Sequence, residues 1–237
     1  MKKNLIVVRA GDNSLHPEWL GPNQNFDVVV SYFGNQPDIY RTGVTRIDHK
    51  GSKWEGLTLV MNSPELNGEI LNWKDYDYIC FPDDDLRTGV DTWNEFFDIV
   101  HELKPALSQP ALTPESYFTH PITLQVPDVK YRKTNFVEVM APCFRRDFFY
   151  AAKHTFAENA SGWGLDYLWP SMIDDRDNII IVDKTPIIHT RPVGSAGHGG
   201  GRENPKHEMK KLMKKYNVQR SKHVAAYYDF NNQVIEK

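Results

Sequence analysis

Cysteine is nearly absent from this chain. Cys80 and Cys143 are the only two in 237 residues, each among apolar neighbours, so no disulfide framework staples the fold and a reducing, cytoplasmic setting is expected. No run approaches the ~20 apolar residues of a membrane span. The opening MKKNLIVVRAGD begins like a secretion signal, but its apolar stretch falls short of the ~7 to 15 residues such a segment needs, and it reads as a first strand. A large charge of one sign is also missing. With 28 basic against 31 acidic side chains and a net of −3, the chain is not built to coat nucleic acid. There is no GxxxxGK[ST] phosphate loop, no GxSxG, no HExxH and no CxxC, and the GxG elements lack the dinucleotide-binding pattern. These absences set aside several common enzyme classes.

What is present favours an α/β fold. A hydrophobic fraction of 40% can bury a core. NLIVV (4–8), FDVVVSYF (26–33) and YDYICF (76–81) read as strands bounded by Gly, Asn, Asp or Pro. Between the latter two, Trp54, Leu57, Val60 and Met61 fall at helical spacing. TWNEFFDIVHELK (92–104) is a second helix with Thr92 as N-cap and Pro105 beyond its end. NFVEVMAPCF is expected as a strand running into the helical RRDFFYAAKHTFAENA. SGWGLDYLWPSMI is a Gly-rich turn entering a helix, and NIIIVD and PIIHT are two further strands. Strands separated by helices give a sheet whose ligands bind beyond the carboxyl ends of the strands. Neither repeats nor an inter-domain linker are evident.

The acids of FPDDDL (81–86) sit at such an end. Three adjacent like charges repel and lose solvation on burial, so a cation is a natural partner. In an extended segment Asp83 and Asp85 share a side while Asp84 points away, which makes a hard oxygen site suited to Mn²⁺ or Mg²⁺; a solvated acidic turn is the plainer alternative. In SGWGLD, glycines flank Trp163, a candidate apolar plate for a sugar, and Asp166 is either a general base or a helix cap. His189, ending PIIHT, can complete a metal's coordination or be structural. Arg191, His198 and Arg202, around the glycines of GSAGHGGG, are placed to reach a diphosphate or to lie in a surface loop. Lys50 and Lys53 flank a helix start, where an anion is favoured. Arg202 to Lys222 holds eight Lys or Arg against two Glu, a local +6 that leaves −9 for the rest. Such a tail would suit phosphates, acidic glycan or a membrane surface.

Taken in order, YDYICFPDDDL, FVEVMAPCFRRDFF, SGWGLDYLWP and IIIVDKTPIIHTRPVG resemble a family of plant and bacterial proteins formerly labelled as of unknown function, which look like glycosyltransferases of the GT-A fold. The resemblance covers nearly the whole chain. It implies a single GT-A-like, Rossmann-like domain over 1–237 with a mixed, mostly parallel central sheet flanked by helices. Residues 1–90 would bind the nucleotide sugar, 91–201 the acceptor, and 202–237 would form a basic helix and tail. It further implies that DDD is the DxD motif, with Asp85 the metal ligand, Asp83 its neighbour near the ribose, and His189 the third ligand. Asp166 would be the base that deprotonates the acceptor, although a single Asp follows Leu165 here where a Glu-Asp pair is common. VVRAGDNS, with Arg9, Ala10 and Asp12, would hold the nucleotide together with Lys50, Lys53, Asp84, Arg191 and His198, while Trp163 and Gly164 would face the acceptor.

The expected activity is transfer of a sugar from a nucleotide-sugar donor to a glycan, lipid-linked or small acceptor, with inversion, dependent on Mn²⁺ or Mg²⁺. No nucleic-acid partner is expected, and the basic C-terminal helix would allow peripheral contact with the inner face of a membrane. A metal-dependent phosphoesterase or nucleotidyl hydrolase is the rival enzyme; it needs a second acid set to hold two metals ~3.5 to 4 Å apart, for which SMIDDRD (171–177) is the candidate. A non-catalytic sugar- or nucleotide-binding module is the third reading.

Overall fold

A computed structural model of the protein describes residues 3–66, 68, 70–174, 178–192 and 203–237. The first half contains β1 (Asn4–Ala10), β2 (Phe26–Tyr32), β3 (Thr45–Asp48), α1 (Lys53–Met61), β4 (Tyr78–Cys80), β5 (Leu86–Arg87), α2 (Val90–Leu103) and β6 (Leu107–Leu112). The second half adds β7 (Tyr131–Thr134), β8 (Cys143–Arg145), α3 (Arg146–Ala152), α4 (Leu165–Ser171), β9 (Ile179–His189), α5 (Pro205–Tyr216), β10 (Val224–Tyr228) and β11 (Val234–Ile235).

The strands lie side by side in the order β11-β10-β7-β9-β6-β8-β4-β1-β2-β3, and β5 pairs separately with β9. β1, β2, β3 and β4 are mutually parallel, as are β6 and β9. β8 is inserted antiparallel to both β4 and β6, so β4 and β6 point the same way. The sheet is therefore mixed, with its central strands mostly running in one direction, as the sequence leads one to expect. Their carboxyl ends converge on a single edge, where β1, β4 and β9 deliver their following loops.

Strand β1 is buried along its whole length. Successive strand side chains face opposite ways, which places Leu5 and Val7 in one apolar core with α1, α3 and α4, and Ile6 and Val8 in another with α2. A strand covered on both faces carries no polar alternation. In α2, Trp93, Phe96, Phe97 and Val100 are buried as their spacing predicts. The helix starts at Val90, with Gly89 rather than Thr92 at the N-cap, and ends at Lys104 in the left-handed region, φ 54°, because Pro105 disfavours further helix. Ser52 caps α1 in a reciprocal box with Glu55, which fixes the helix start beside the site.

Four local expectations are corrected. NFVEVMAPCF forms strand only from Cys143; residues 135–142 form a loop. NIIIVD and PIIHT are one continuous strand, β9, because Pro186 sits where the pairing with β6 shifts register and a missing N–H is tolerated. The helix from Arg146 passes into a 3₁₀ turn at Lys153. The tail beyond α5 is structural, since β10 pairs with β7 and β11 closes the hairpin. Among the described residues no helix is long and apolar enough to cross a membrane.

Candidate active site

Main-chain pairing places the acids. Beyond β4, Phe81 N–H donates to the Pro142 carbonyl at 2.9 Å and Asp83 N–H to the Met140 carbonyl at 2.8 Å, extending strand-like pairing past Cys80. The chain then turns into β5, which pairs antiparallel with the end of β9 so that Leu86 opposes His189. Thr190 donates to the Asp85 carbonyl through both its backbone N–H, at 3.1 Å, and its hydroxyl, at 2.8 Å. Ligand atoms of Asp83, Asp85 and His189 consequently lie within 4.8 Å of one another.

His189 Nε2 is 3.3 Å from Asp85 Oδ2. Its Nδ1 donates to the Tyr117 carbonyl at 2.7 Å, which orients the ring and leaves Nε2 facing the acids. Burial alone would lower the imidazole pKa, but Asp85 and the Tyr117 carbonyl overcome it and raise the value to about 9. Asp85 Oδ1 is buried without a partner. A carboxylate oxygen in that state is costly unless something neutralises it. Two carboxylates and an oriented imidazole are a donor set that fits a divalent cation such as Mn²⁺. Lys53 Nζ donates to Asp83 Oδ1 and to the Val139 carbonyl, each at 2.7 Å, tying the start of α1 to this cluster.

Asp84 turns elsewhere. It accepts from Gly11 N–H at 2.7 Å and from Arg191 at 3.2 Å, joining the loop after β1 to the loop after β9. Burial pushes its carboxyl up to about 6 against the opposing pull of these two donors. Arg191 also donates to the Asn13 carbonyl. Arg9 turns inward, its guanidinium bonded to the Ser31 hydroxyl at 2.9 Å, the His49 carbonyl at 2.8 Å and the Gly51 carbonyl at 3.0 Å. Ala10 closes β1, its carbonyl receiving Phe33 N–H at 2.9 Å. Asp12 accepts from the Tyr32 hydroxyl and, at 2.9 Å, from Asn35 N–H; the tyrosine bond is the main reason its carboxyl lies below the ordinary range. Lys50 donates to the Phe33 carbonyl at 2.6 Å and to Asn35 at 2.8 Å. Arg9, Asp12 and Lys50 thus shape the loops that follow β1 and β2 through protein partners. His198 and Arg202 lie outside the described residues.

A second group of candidate side chains is carried by α4. Gly162, φ 76°, and Gly164, φ 98°, turn the chain into the helix, a conformation glycine adopts without strain. Asp166 falls in the first turn and is 6% exposed. Its Oδ2 is 3.5 Å from His120 Nε2, and its Oδ1 is buried with no partner. Lys222 Nζ approaches His120 Nδ1 at 2.7 Å, which makes Nδ1 the acceptor and leaves the ring proton on Nε2, toward Asp166. Trp163, before the helix, is 38% exposed. Glu138 joins this group from the loop before β8. It is 9% exposed, its Oε2 is buried without a partner, and burial pushes its carboxyl up to about 7. His120 and His189 pull that value down while Asp166 and Asp83 push it up, so Glu138 feels both groups of side chains.

The described residues therefore bring together Asp83, Asp85 and His189, add Lys53 to them, and set Asp166 in a separate buried position. Sequence reading missed His120, Glu138 and Lys222. The available hints were weak: a histidine before a proline, and a lone acid inside an apolar segment.

Comparison with solved structures identifies the architecture. The chain is similar to TarS of S. aureus in complex with UDP-GlcNAc, with TM-score 0.57 and 13% identity over 93% of this chain and 68% of that one. It is also similar to GalNAc-T7 with UDP, GalNAc and Mn²⁺, with TM-score 0.59 and 8% identity over 89% of this chain but only 47% of that one. A third likeness is glucosyl-3-phosphoglycerate synthase from Mycobacterium tuberculosis in complex with Mn²⁺, UDP-glucose and phosphoglyceric acid, with TM-score 0.52 and 12% identity over 94% of this chain and 86% of that one. The fold is thus a single α/β domain of the GT-A type. Residues 129–236 match the family described as "Protein of unknown function (DUF707)". No curated protein sequence matches significantly.

Proposed function

We propose that this protein is a metal-dependent glycosyltransferase that moves a sugar from a nucleotide-sugar donor to a hydroxyl acceptor, with inversion and with Asp166 as the general base. The observation that carries this reading is the division of the acids into two groups. Asp83 and Asp85 gather with His189 within 4.8 Å, while Asp166 is buried apart from them with Oδ1 unpartnered. A divalent ion held by Asp85, His189 and Asp83 would counter the charge of the departing diphosphate. The loops fixed by Arg9, Asp12, Asp84 and Arg191 would receive the nucleotide, and Lys53 would add positive charge beside it. Asp166 Oδ1 would take the proton of the attacking hydroxyl, and His120 Nε2, facing Oδ2 at 3.5 Å, would orient the carboxylate. Trp163 and Gly164 would border the acceptor.

The acceptor is proposed to be a glycan, a lipid-linked chain or a small anionic molecule. The exposed lysines of α5, Lys206, Lys210, Lys211, Lys214 and Lys215, would attract it or an anionic membrane surface. A two-metal phosphoesterase is less well supported. Asp83, Asp85 and His189 are the one group of three or more potential metal ligands among the described residues, and Asp175 and Asp177 of SMIDDRD lie outside them.

Calorimetric titration of UDP and GDP, with Mn²⁺ and then with EDTA, tests the reading. Metal-dependent binding of one nucleotide is expected, lost in Asp85→Ala. Asp166→Asn should keep that binding and lose transfer. Unchanged nucleotide binding in Asp85→Ala defeats the metal assignment, and retained transfer in Asp166→Asn defeats the base assignment.

A further inference from the structure

Glu138 is assigned no part in the reaction above, yet it combines two costly features. Its carboxyl is nine-tenths buried, and one oxygen has no hydrogen-bond partner. Native proteins seldom leave a buried carboxylate oxygen unmatched, because its lost hydration is not offset. The loop that carries it is held firmly. Glu138 N–H donates to Gln109 Oε1 at 2.5 Å, and two residues later the Met140 carbonyl accepts from Asp83. Lys53 reaches the Val139 carbonyl between them. The side chain is thus fixed by its backbone on both sides while its own oxygen is left without a partner. Its loop spans the two groups: Phe136, two residues earlier, packs edge-on against His120 and Tyr167 of α4, with ring centroids 4.8 and 5.5 Å away, whereas Met140, two residues later, is bonded to Asp83.

We infer that Glu138 is a specificity residue whose carboxylate accepts hydroxyl hydrogen bonds from the sugar being transferred, and that it restricts the donor to neutral sugars with free ring hydroxyls. This rests on the donor-site reading above. A sugar placed between the diphosphate end of the site and Asp166 passes Glu138, and ring hydroxyls supply the donors its orphan oxygen lacks. The same geometry rejects a sugar bearing a carboxylate. Such a group would meet Glu138 and Asp166 in a setting where like charges are poorly screened.

At pH 8, above the value of about 7 to which burial raises the Glu138 carboxyl, and for whichever nucleotide binds the wild-type protein with Mn²⁺, the neutral donor is compared with its C6-carboxylate form: UDP-glucose against UDP-glucuronate, or GDP-mannose against GDP-mannuronate. Wild type should favour the neutral donor by about tenfold or more. Glu138→Gln, nearly isosteric, should weaken the neutral donor about tenfold, leave the free nucleoside diphosphate within twofold, and narrow the preference against the acid sugar. Glu138→Asp keeps the charge but withdraws it, so it should lose affinity for the neutral donor and still reject the acid sugar. Wild-type affinities retained by Glu138→Gln overturn the inference, and so does an equal loss of the free diphosphate, which would place Glu138 at the nucleotide end. If Glu138→Gln does not fold, retention of the wild-type affinity for the neutral donor in Glu138→Asp overturns it. Failure of wild type to bind either diphosphate instead removes the donor-site reading, and this inference with it.

Discussion

Two glycines with nearly the same backbone angle separate the two costs of adding a side chain at the site. Gly162 has φ 76° and Gly43 has φ 75°. A Cβ at Gly43 meets nothing within 4 Å, whereas one at Gly162 overlaps the indole nitrogen of Trp54. Gly43→Ala should therefore cost only the left-handed backbone strain, about 1 to 2 kcal/mol. Gly162→Ala carries the same strain and must also move Trp54. That indole is fully buried against Phe156 and Trp169, with ring centroids 5.0 and 5.4 Å away. Overpacking of this kind costs about 1 to 3 kcal/mol, for a total of roughly 2 to 5 kcal/mol. At about 2 to 4 °C per kcal/mol for a domain of this size, Tm should fall by roughly 2 to 8 °C in Gly43→Ala and 4 to 20 °C in Gly162→Ala. Urea denaturation of both variants measures the difference directly. Equal losses would refute the reasoning, because they would mean that Trp54 does not constrain the turn leading to Asp166.

Two other expectations concern buried ionisable groups. His16 is 1% exposed, contacts the Ser14 hydroxyl through Nδ1 at 2.7 Å and packs on Tyr40, and burial lowers its pKa to about 4. A folded-state value below the ordinary ~6.5 means that stability is full above pH 6.5 and is lost as pH falls toward 4, by roughly 3 kcal/mol at most. Urea melts of His16→Gln should show a flatter acid limb over that window, and an unchanged limb would exclude His16 as its source. Arg132 and Asp183 form a fully buried pair at 2.9 Å, and Asp183 Oδ1 also receives Val126 N–H at 2.8 Å. Asp183→Asn leaves the guanidinium uncompensated and should cost about 3 to 5 kcal/mol by urea denaturation; a loss under about 1 kcal/mol would contradict that account.

The features legible in the sequence are those whose signal is local. The apolar run of β1 and the aromatic face of α2 repeat at the strand and helix periods, so burial can be read from spacing alone. The acid run at the end of β4 stands out because three like charges are unfavourable together, and His189 because it ends an apolar strand. What is not legible depends on contacts far apart in the chain. Residues 135–142 have a strand-like composition, yet they stay a loop because β8 supplies only a short antiparallel insert and the loop must cross the site. β10 and β11 exist because β7 offers an open edge to pair with. His120 comes to Asp166 across 46 residues, and Glu138 is distinctive only once its oxygen is seen to be buried and unmatched. Single residues brought together by tertiary packing leave no pattern in the chain.

The two halves of the site are held by different forces, and this has a measurable consequence. Backbone pairing fixes Asp83 and Asp85: Asp83 N–H to Met140, Thr190 to the Asp85 carbonyl, and β5 to β9. Asp166 depends instead on side-chain packing, since the Gly164 turn lies against Met209 and Leu212 of α5 and the Gly162 turn against Trp54. Leu212 is 3% exposed and belongs to the same core as Leu165, Leu168 and Trp169 of α4. Leu212→Ala removes that support without touching a proposed ligand. Its cost should be about 2 to 5 kcal/mol, relieved in part by movement of α5 and α4 into the space. Such movement displaces Asp166 while the paired strands hold Asp83, Asp85 and His189 still. In the folded variant, calorimetric Mn²⁺-nucleotide affinity should stay within twofold of wild type while transfer falls about tenfold or more, since small misplacements of a reacting group are that costly. A parallel loss of both would show that the two groups share one support and that the division drawn from their contacts is wrong.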